Sequence, residues 1–276
     1  MRYADLHVHT FYSDSTFSPD EVISCANGKG LDAIAICDHD CVDGIEPCME
    51  SAKNKAIDIE VVPGIELTSE KDDTEIHMLG YFLDWRNPEF LAKLKKIQDE
   101  RVDRVFKMAE KLQSSGIDID PEEVLNMSGR GSVGRLHVAR AMLKTKKVKT
   151  FEEAFSKYIG FMKPCYVRHA HMTPREAIGL IRSVNGVAVL AHPSTVVRDD
   201  FIPEFVEDGQ KGIEVYHIDH TKIISRHYED VARRYGLIAT GGSDCHGLGK
   251  HKVLMGSVRV PYTVVEELKK ESLKRP

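Results

Sequence analysis

The sequence predicts an α/β protein, a barrel of β–α units with a helical insertion. Two observations carry that expectation: short apolar runs alternate with amphipathic segments over much of the chain, and the runs end on clusters of histidine and carboxylate. A third concerns the stretch from about 88 to 163, where the alternation stops and helical patterning takes over.

The expected strands are Tyr3–Val8, Ala33–Cys37, Ile59–Ile65, Ile76–Phe82, Val187–Leu190, Gly212–Tyr216, Leu237–Thr240 and Val253–Val260. Helix starts are explicit. Ser18-Pro19-Asp20-Glu21 supplies an N-cap, a first-turn proline and a capping-box acid, and Gly28 and Gly30 mark the stop. Thr173-Pro174-Arg175-Glu176 repeats the device, closed by Gly186. Both helices lead into strands, which favours parallel strands wrapped by helices. The interrupting stretch holds a long charged helix from about Glu89 to Leu112, a turn at Asp120-Pro121, and shorter helices at Val133–Leu143 and Phe151–Tyr158. It reads as an insertion (88–163) carried by one β–α loop and capping the site, with 1–87 and 164–276 forming the barrel. The end, Thr263–Lys274, reads as a last amphipathic helix.

Composition narrows the function. With 42% apolar and 29% charged residues in 276, the chain is an ordinary globular protein. No apolar run nears the ~20 residues of a membrane span. The N-terminus lacks a signal peptide's apolar segment, so a cytoplasmic location and no membrane partner are expected. A net charge of −5 argues against broad binding to duplex DNA. The six cysteines form no C-x-x-C pair, which leaves a structural zinc knuckle without ligands.

Histidine is the unusual residue, at 13. His7-Val8-His9 ends the first run, and residues two apart in a strand face one side, so both rings can reach one metal ion. Asp14 follows in a polar loop. Asp38-His39-Asp40 ends the second strand, Glu66 follows Pro63-Gly64-Ile65, and His77 opens the fourth run. His192 ends Val187–Ala191, and Asp244 and His246 sit in Gly241-Gly242-Ser243-Asp244-Cys245-His246. Any one of these histidines alone reads as an ordinary polar residue. As a set at strand ends, which a β/α barrel gathers on one face, they read as a metal site.

These residues resemble the PHP (polymerase and histidinol phosphatase) family of phosphoesterases. The match runs through Asp5-Leu6-His7-Val8-His9-Thr10, Ser13-Asp14 with Ser18-Pro19, Asp38-His39-Asp40, Gly64-Ile65-Glu66, His77, Ala191-His192-Pro193 and Gly242-Ser243-Asp244-Cys245-His246. Ser15, where the family often has glycine, is the one small departure. The resemblance implies a distorted (β/α)7 TIM-like barrel and three divalent ions. Carried over by residue, His7, His9, Glu66 and Asp244 hold the first ion, Glu66 with His77 and His192 the second, and Asp14, His39 and His246 the third. Mixed imidazole and carboxylate ligands suit Mn²⁺, the expected ion, as well as Fe²⁺ or Zn²⁺. Such ions activate water and neutralise a phosphate ester. Asp244 is expected to be catalytic as well as a ligand, and His217 is a candidate proton donor to the leaving group.

Within that family a helical insert followed by Gly134-Arg135-Leu136-His137 is similar to the branch acting on nucleoside bisphosphates and short RNA ends. Ser132, Arg135 and His137 are the expected substrate residues, with Arg135 gripping a second phosphate. A basic cluster after the insert, Lys163, Arg168, His169 and His171, adds Arg168 and His171 at the rim. The expected reaction is hydrolysis of a nucleoside 3′,5′-bisphosphate to the 5′-monophosphate, or trimming of very short RNA from a 5′-phosphorylated end. A histidinol-phosphate phosphatase and a non-catalytic, metal-stabilised binding module are the alternatives.

Overall fold

The computed structural model describes residues 1–128, 131–168, 172–249 and 252–274. In chain order its elements are β1 (Tyr3–Val8), α1 (Pro19–Gly28), β2 (Ala33–Ile36), α2 (Ile45–Asn54), β3 (Glu60–Lys71) and β4 (Thr74–Tyr81). Next come α3 (Pro88–Ser114), α4 (Pro121–Ser128), α5 (Arg135–Lys144) and α6 (Phe151–Ala154), the last continued by a π-helical turn, Phe155–Ile159. The remainder is α7 (Pro174–Ser183), β5 (Val187–Leu190), α8 (Ile202–Asp208), β6 (Gly212–His217), α9 (Lys222–Tyr235), β7 (Ile238–Gly242), β8 (Val260–Pro261) and α10 (Thr263–Ser272). The capping boxes at Ser18 and Thr173 both form.

The strands make one sheet in the order β7-β6-β5-β4-β3-β2-β1-β8. It curls until β1 meets the end of β7: Val8 bridges Cys245, and His9 N donates to the Cys245 carbonyl at 3.0 Å. Closure leaves no room for a side chain at Gly242, where a Cβ would sit 2.4 Å from the His7 backbone nitrogen. Alternation along each strand sorts residues into two layers. Ala33, Ala35, Val62, Leu79, Tyr81, Val187 and Val189 fill the barrel, while Ile34, Ile36, Ile65, Leu67 and Leu190 pack outward against helices.

Two expectations about strands are corrected. The barrel is not all parallel: β4 runs antiparallel to both β3 and β5. It returns from β3 through a two-residue turn, Asp72-Asp73, both with positive φ (46° and 58°), which aspartate tolerates better than most residues. The strand expected over Val253–Val260 shrinks to Val260–Pro261. Ahead of it the backbone turns at Gly256 (φ 71°) so that Gly256 N can donate to the buried Asp5 carboxylate at 2.8 Å. A buried carboxylate needs donors more than that segment needs a ladder.

The helices α3 to α6 lie between β4 and β5 and bury an apolar cluster of their own, including Met108, Leu112, Val138, Met142 and Ile159. No helix among the described residues is long and apolar enough to cross a membrane.

Candidate metal centre

The strand ends deliver histidines and carboxylates to one mouth of the barrel. His7 and His9 come from β1 and its exit, His39 from the exit of β2, Glu66 from within β3, and His192 from the exit of β5. The antiparallel β4 contributes from its beginning: His77 is its fourth residue, and pairing with Thr68 sets it on the same inner face as Glu66. Asp14 and His246 come from loops.

Glu66 sits at the centre. Its Oε1 lies 2.8 Å from His77 Nδ1 and 2.9 Å from His192 Nε2, and its Oε2 lies 3.0 Å from His39 Nδ1 and 3.4 Å from both His7 Nε2 and His9 Nε2. Asp14 stands 3.1 Å from His246 Nε2, and Asp244 stands 3.1 Å from His9 Nε2. Among the described residues, three groups have donor atoms near enough to share an ion: His9, Asp14, His39 and His246; His7, His9 and Glu66; and His39, Glu66 and His77.

These residues fit divalent ions on their own chemistry. His7 Nε2, His9 Nε2, Asp14 Oδ1, His39 Nδ1 and Glu66 Oε2 are buried without a hydrogen bond, which polar atoms rarely tolerate unless something else binds them. Burial by itself would raise Glu66 and Asp14, yet the surrounding imidazoles hold both carboxyls well below their ordinary range. His77, opposed by burial, is driven up to about 10 by Glu66 and Glu75. Cations belong in this field, and bound metal would take over that role from protons.

Further contacts orient the rings. His7 Nδ1 meets the buried Glu214 at 3.0 Å, and the other oxygen of Glu214 accepts from His192 N at 2.7 Å. His192 Nδ1 meets Thr195 Oγ1 at 3.0 Å, and His246 Nδ1 donates to the Asp244 carbonyl at 2.8 Å. Fixing one ring nitrogen fixes the tautomer at the other. Asp40, His192 and Asp244 all adopt positive φ (48°, 24° and 49°), a strained geometry found disproportionately at functional sites.

The remaining predicted residues distribute unevenly. A cavity of about 510 Å³ is lined by the metal-ligand candidates Asp14, His39, Glu66, His77, His192, Asp244 and His246 together with Arg101, Arg104, Arg135, Leu136, Phe151 and Phe155. Arg135 therefore lines the same cavity as the metal-ligand candidates. It is already paired with Glu75. His137 turns away: buried, its Nδ1 accepts from Gly134 N at 3.1 Å and caps its own helix. Ser132 is buried as well, its backbone nitrogen donating to the Tyr12 carbonyl at 2.7 Å. Arg168 lies outside the cavity on the β3–β4 hairpin, paired with Glu70 and Asp73, because those acids are nearer than the barrel mouth. His171 and His169 fall outside the described residues. His217 is buried behind Asp244, with Nε2 3.6 Å from Asp244 Oδ2 while Nδ1 accepts from Asp219 N. It does not line the cavity.

Several residues at the site were not anticipated from sequence. Glu214 had a usable signal, a lone acid inside the apolar run Gly212–Tyr216. Arg101, Arg104 and Arg140 had none, since α3 and α5 carry many solvated cations. Yet each of these three holds the wall of the site: Arg101 grips Asp40 beside His39, Arg104 lies 3.9 Å from Glu75 beside His77, and Arg140 donates to the Asp14 carbonyl at 2.7 Å.

Comparison with known proteins adds to this geometry. Residues 5–165 match the family model described as PHP domain. A 3′,5′-nucleoside bisphosphate phosphatase from Chromobacterium violaceum is 30% identical over 256 residues, covering 91% of this chain and 89% of that protein. A 5′-3′ exoribonuclease from Haemophilus influenzae is 30% identical over 266 residues, covering 92% and 96%. Among solved structures, a metal-dependent phosphoesterase from Bifidobacterium adolescentis superposes with a TM-score of 0.89 at 28% identity, covering 97% of this chain and 96% of that one.

Proposed function

Because this chain belongs to the PHP family and is a metal-dependent phosphoesterase, we propose that its substrate is a small nucleotide, a nucleoside 3′,5′-bisphosphate cleaved to the 5′-monophosphate and phosphate. The observation that carries this reading is the position of Arg135, which lines the same cavity as Glu66, His77 and His192 and is tied to His77 through Glu75. One phosphate at the histidine–carboxylate wall leaves a second within reach of a guanidinium, which pairs with phosphate oxygens in a fork. Phe151, Phe155 and Leu136 offer an apolar surface to the nucleoside between the two. The relatives from C. violaceum and H. influenzae, named for a bisphosphate and for RNA, favour the same class. Trimming of short 5′-phosphorylated RNA is the related reaction of the same pocket.

In this reading His7, His9, Glu66 and Asp244 hold the first ion, His77 and His192 join Glu66 at the second, and Asp14, His39 and His246 hold the third. Bound divalent ions, Mn²⁺ being the expected species, would supply an activated water and neutralise charge on the ester. The chain's own residues do the rest. Arg135 and Arg104 anchor the distal phosphate, and Glu75 keeps Arg135 from collapsing onto the metal ligands. Glu214 holds the His7 and His192 rings toward Glu66. His217 steadies Asp244, a positioning task that its contact supports better than direct proton donation. The helical insertion, 88–163, acts as the cap that supplies the anchor.

The test is phosphate release by the Mn²⁺-loaded protein from adenosine 3′,5′-bisphosphate, histidinol phosphate and a 5′-phosphorylated trinucleotide. Turnover of the bisphosphate should exceed that of histidinol phosphate, and Arg135→Ala should lower it by about 10- to 100-fold while sparing a simple monoester. Histidinol phosphate as the preferred substrate, or equal loss on both esters, would overturn the reading.

A further inference from the structure

Beyond the catalytic cavity the surface carries a second depression of about 510 Å³, lined by Lys107, Lys111, Met162, Lys163, Tyr166 and Arg168 among others. Glu110 is the acid in that lining. Arg104, Lys107 and Lys111 follow one another at spacings of three and four along one side of α3, so they form a cationic stripe. The stripe begins buried at the cavity, where Arg104 sits, and emerges into solvent at Lys107 and Lys111.

The two depressions share a wall. The Tyr166 ring is 5.4 Å from the Arg104 guanidinium and 5.6 Å from that of Arg135, and Arg104 Nε donates to the Val167 carbonyl at 2.7 Å. Lys107 and Lys163 have no ion pair among the described residues, whereas Arg168 is partly neutralised by Glu70 and Asp73. Beside the groove stand two exposed apolar side chains, Met162 at 71% and Phe161 at 38%, and the Phe161 ring meets Tyr166 edge-on at 5.4 Å.

We propose that this groove binds the downstream phosphodiesters of single-stranded nucleic acid whose 5′ end occupies the cavity. Two lysines without an ion pair among the described residues, Lys107 and Lys163, with the exposed Phe161 ring beside them, supply what a sequence-indifferent single strand requires: cations for the backbone and a flat face for a base, while Lys111 is held by the Tyr166 carbonyl at 2.8 Å. The groove opens from the wall that carries the phosphate anchor, so a chain leaving the cavity meets it directly. The inference rests on the reading of the cavity as a nucleotide site and extends it to chain length: oligonucleotides bind more tightly than mononucleotides.

The experiment titrates Mn²⁺-loaded protein against a 3′-fluorescein-labelled, 5′-phosphorylated octaribonucleotide with phosphorothioate linkages, read by anisotropy at several salt concentrations. Lys107→Ala with Lys163→Ala should weaken binding about tenfold at low salt and flatten the plot of log Kd against log salt by about 1.4, since each single-strand phosphate contact contributes about 0.7. Lys107→Arg with Lys163→Arg should restore both. Neither pair should alter hydrolysis of adenosine 3′,5′-bisphosphate. Unchanged affinity and slope in the alanine pair would overturn the groove. So would displacement of the RNA by polyglutamate at equal charge, which would reassign it to an acidic polypeptide. RNA binding that depends on both lysines, in a protein that leaves the bisphosphate intact, would support the groove and count against the proposed reaction instead.

Discussion

Arg135 Nη2 lies 2.5 Å from Glu75 Oε1, and the same carboxylate oxygen is 3.3 Å from His77 Nε2. One partly buried acid therefore joins the candidate phosphate anchor on α5 to a candidate metal ligand on β4. Anchor and ligand are held relative to each other by a shared oxygen rather than by two separate scaffolds.

Glu75→Gln tests that linkage. It keeps the shape but removes the charge that holds Arg135 and lifts His77. The expected result is a 10- to 100-fold loss, in order of magnitude, in metal affinity, with a raised KM for the bisphosphate. Metal titration by calorimetry alongside steady-state kinetics reads both. An unchanged metal affinity would show that Glu75 serves Arg135 alone.

Glu214 makes a parallel prediction without touching the substrate. Its two oxygens serve His7 Nδ1 and His192 N, so Glu214→Gln should weaken metal binding about 10- to 100-fold while leaving far-ultraviolet circular dichroism intact. Metal-dependent thermal stabilisation should shrink in the variant, because stabilisation follows the ratio of ion concentration to its dissociation constant. Full stabilisation at the original metal concentration would argue against a positioning role.

Arg101 and Asp40 form a buried pair, Nε to Oδ2 at 2.7 Å, and Asp40 also accepts from Thr68 N at 3.0 Å. Arg101→Met leaves the carboxylate buried without its cation, which should cost about 3–5 kcal/mol. Urea denaturation is the measurement, and a loss under about 1 kcal/mol would mean that water or a neighbour replaces the guanidinium.

His137 predicts a pH dependence of stability. Burial, assisted by Arg140 and Arg101, pushes its pKa down to about 4 from the ordinary 6.5, so the folded protein keeps it neutral where the unfolded chain takes up a proton. Its contribution is complete above pH 6.5 and is lost as the pH falls toward 4. His137→Gln keeps an acceptor for Gly134 N without the titration. Between pH 7 and pH 5 the unmodified protein should lose about 2 kcal/mol relative to the variant. Parallel losses in the two proteins would remove His137 from the account.

Gly242→Ala should be badly tolerated, since the new methyl would collide with His7 where the barrel closes. Loss of soluble protein or a drop in unfolding midpoint checks it. Near-normal stability would mean that β1 and β7 can separate there.

Much of this molecule was legible in one chain. β1 and β5 lie where period and composition put them, both capping boxes form, and the histidines and carboxylates singled out at run ends do converge. These features are local: a strand's alternation, a cap's three-residue spacing and a ligand's identity need no knowledge of distant chain. The tertiary structure decided the rest. The direction of β4 depended on whether Asp72-Asp73 would close a hairpin, and it is that reversal which brings His77 and Glu75 to the mouth from the start of a strand. Which arginine of a charged helix turns inward depended on which acids wait there. Arg101 and Arg104 look like their solvated neighbours until Asp40 and Glu75 are folded beside them. His137 and Arg168 show the converse, cations or rings in suggestive sequence positions that nearer partners claim first. Charge pairing and burial are long-range, so their outcome is set by the packed chain and not by any segment of it.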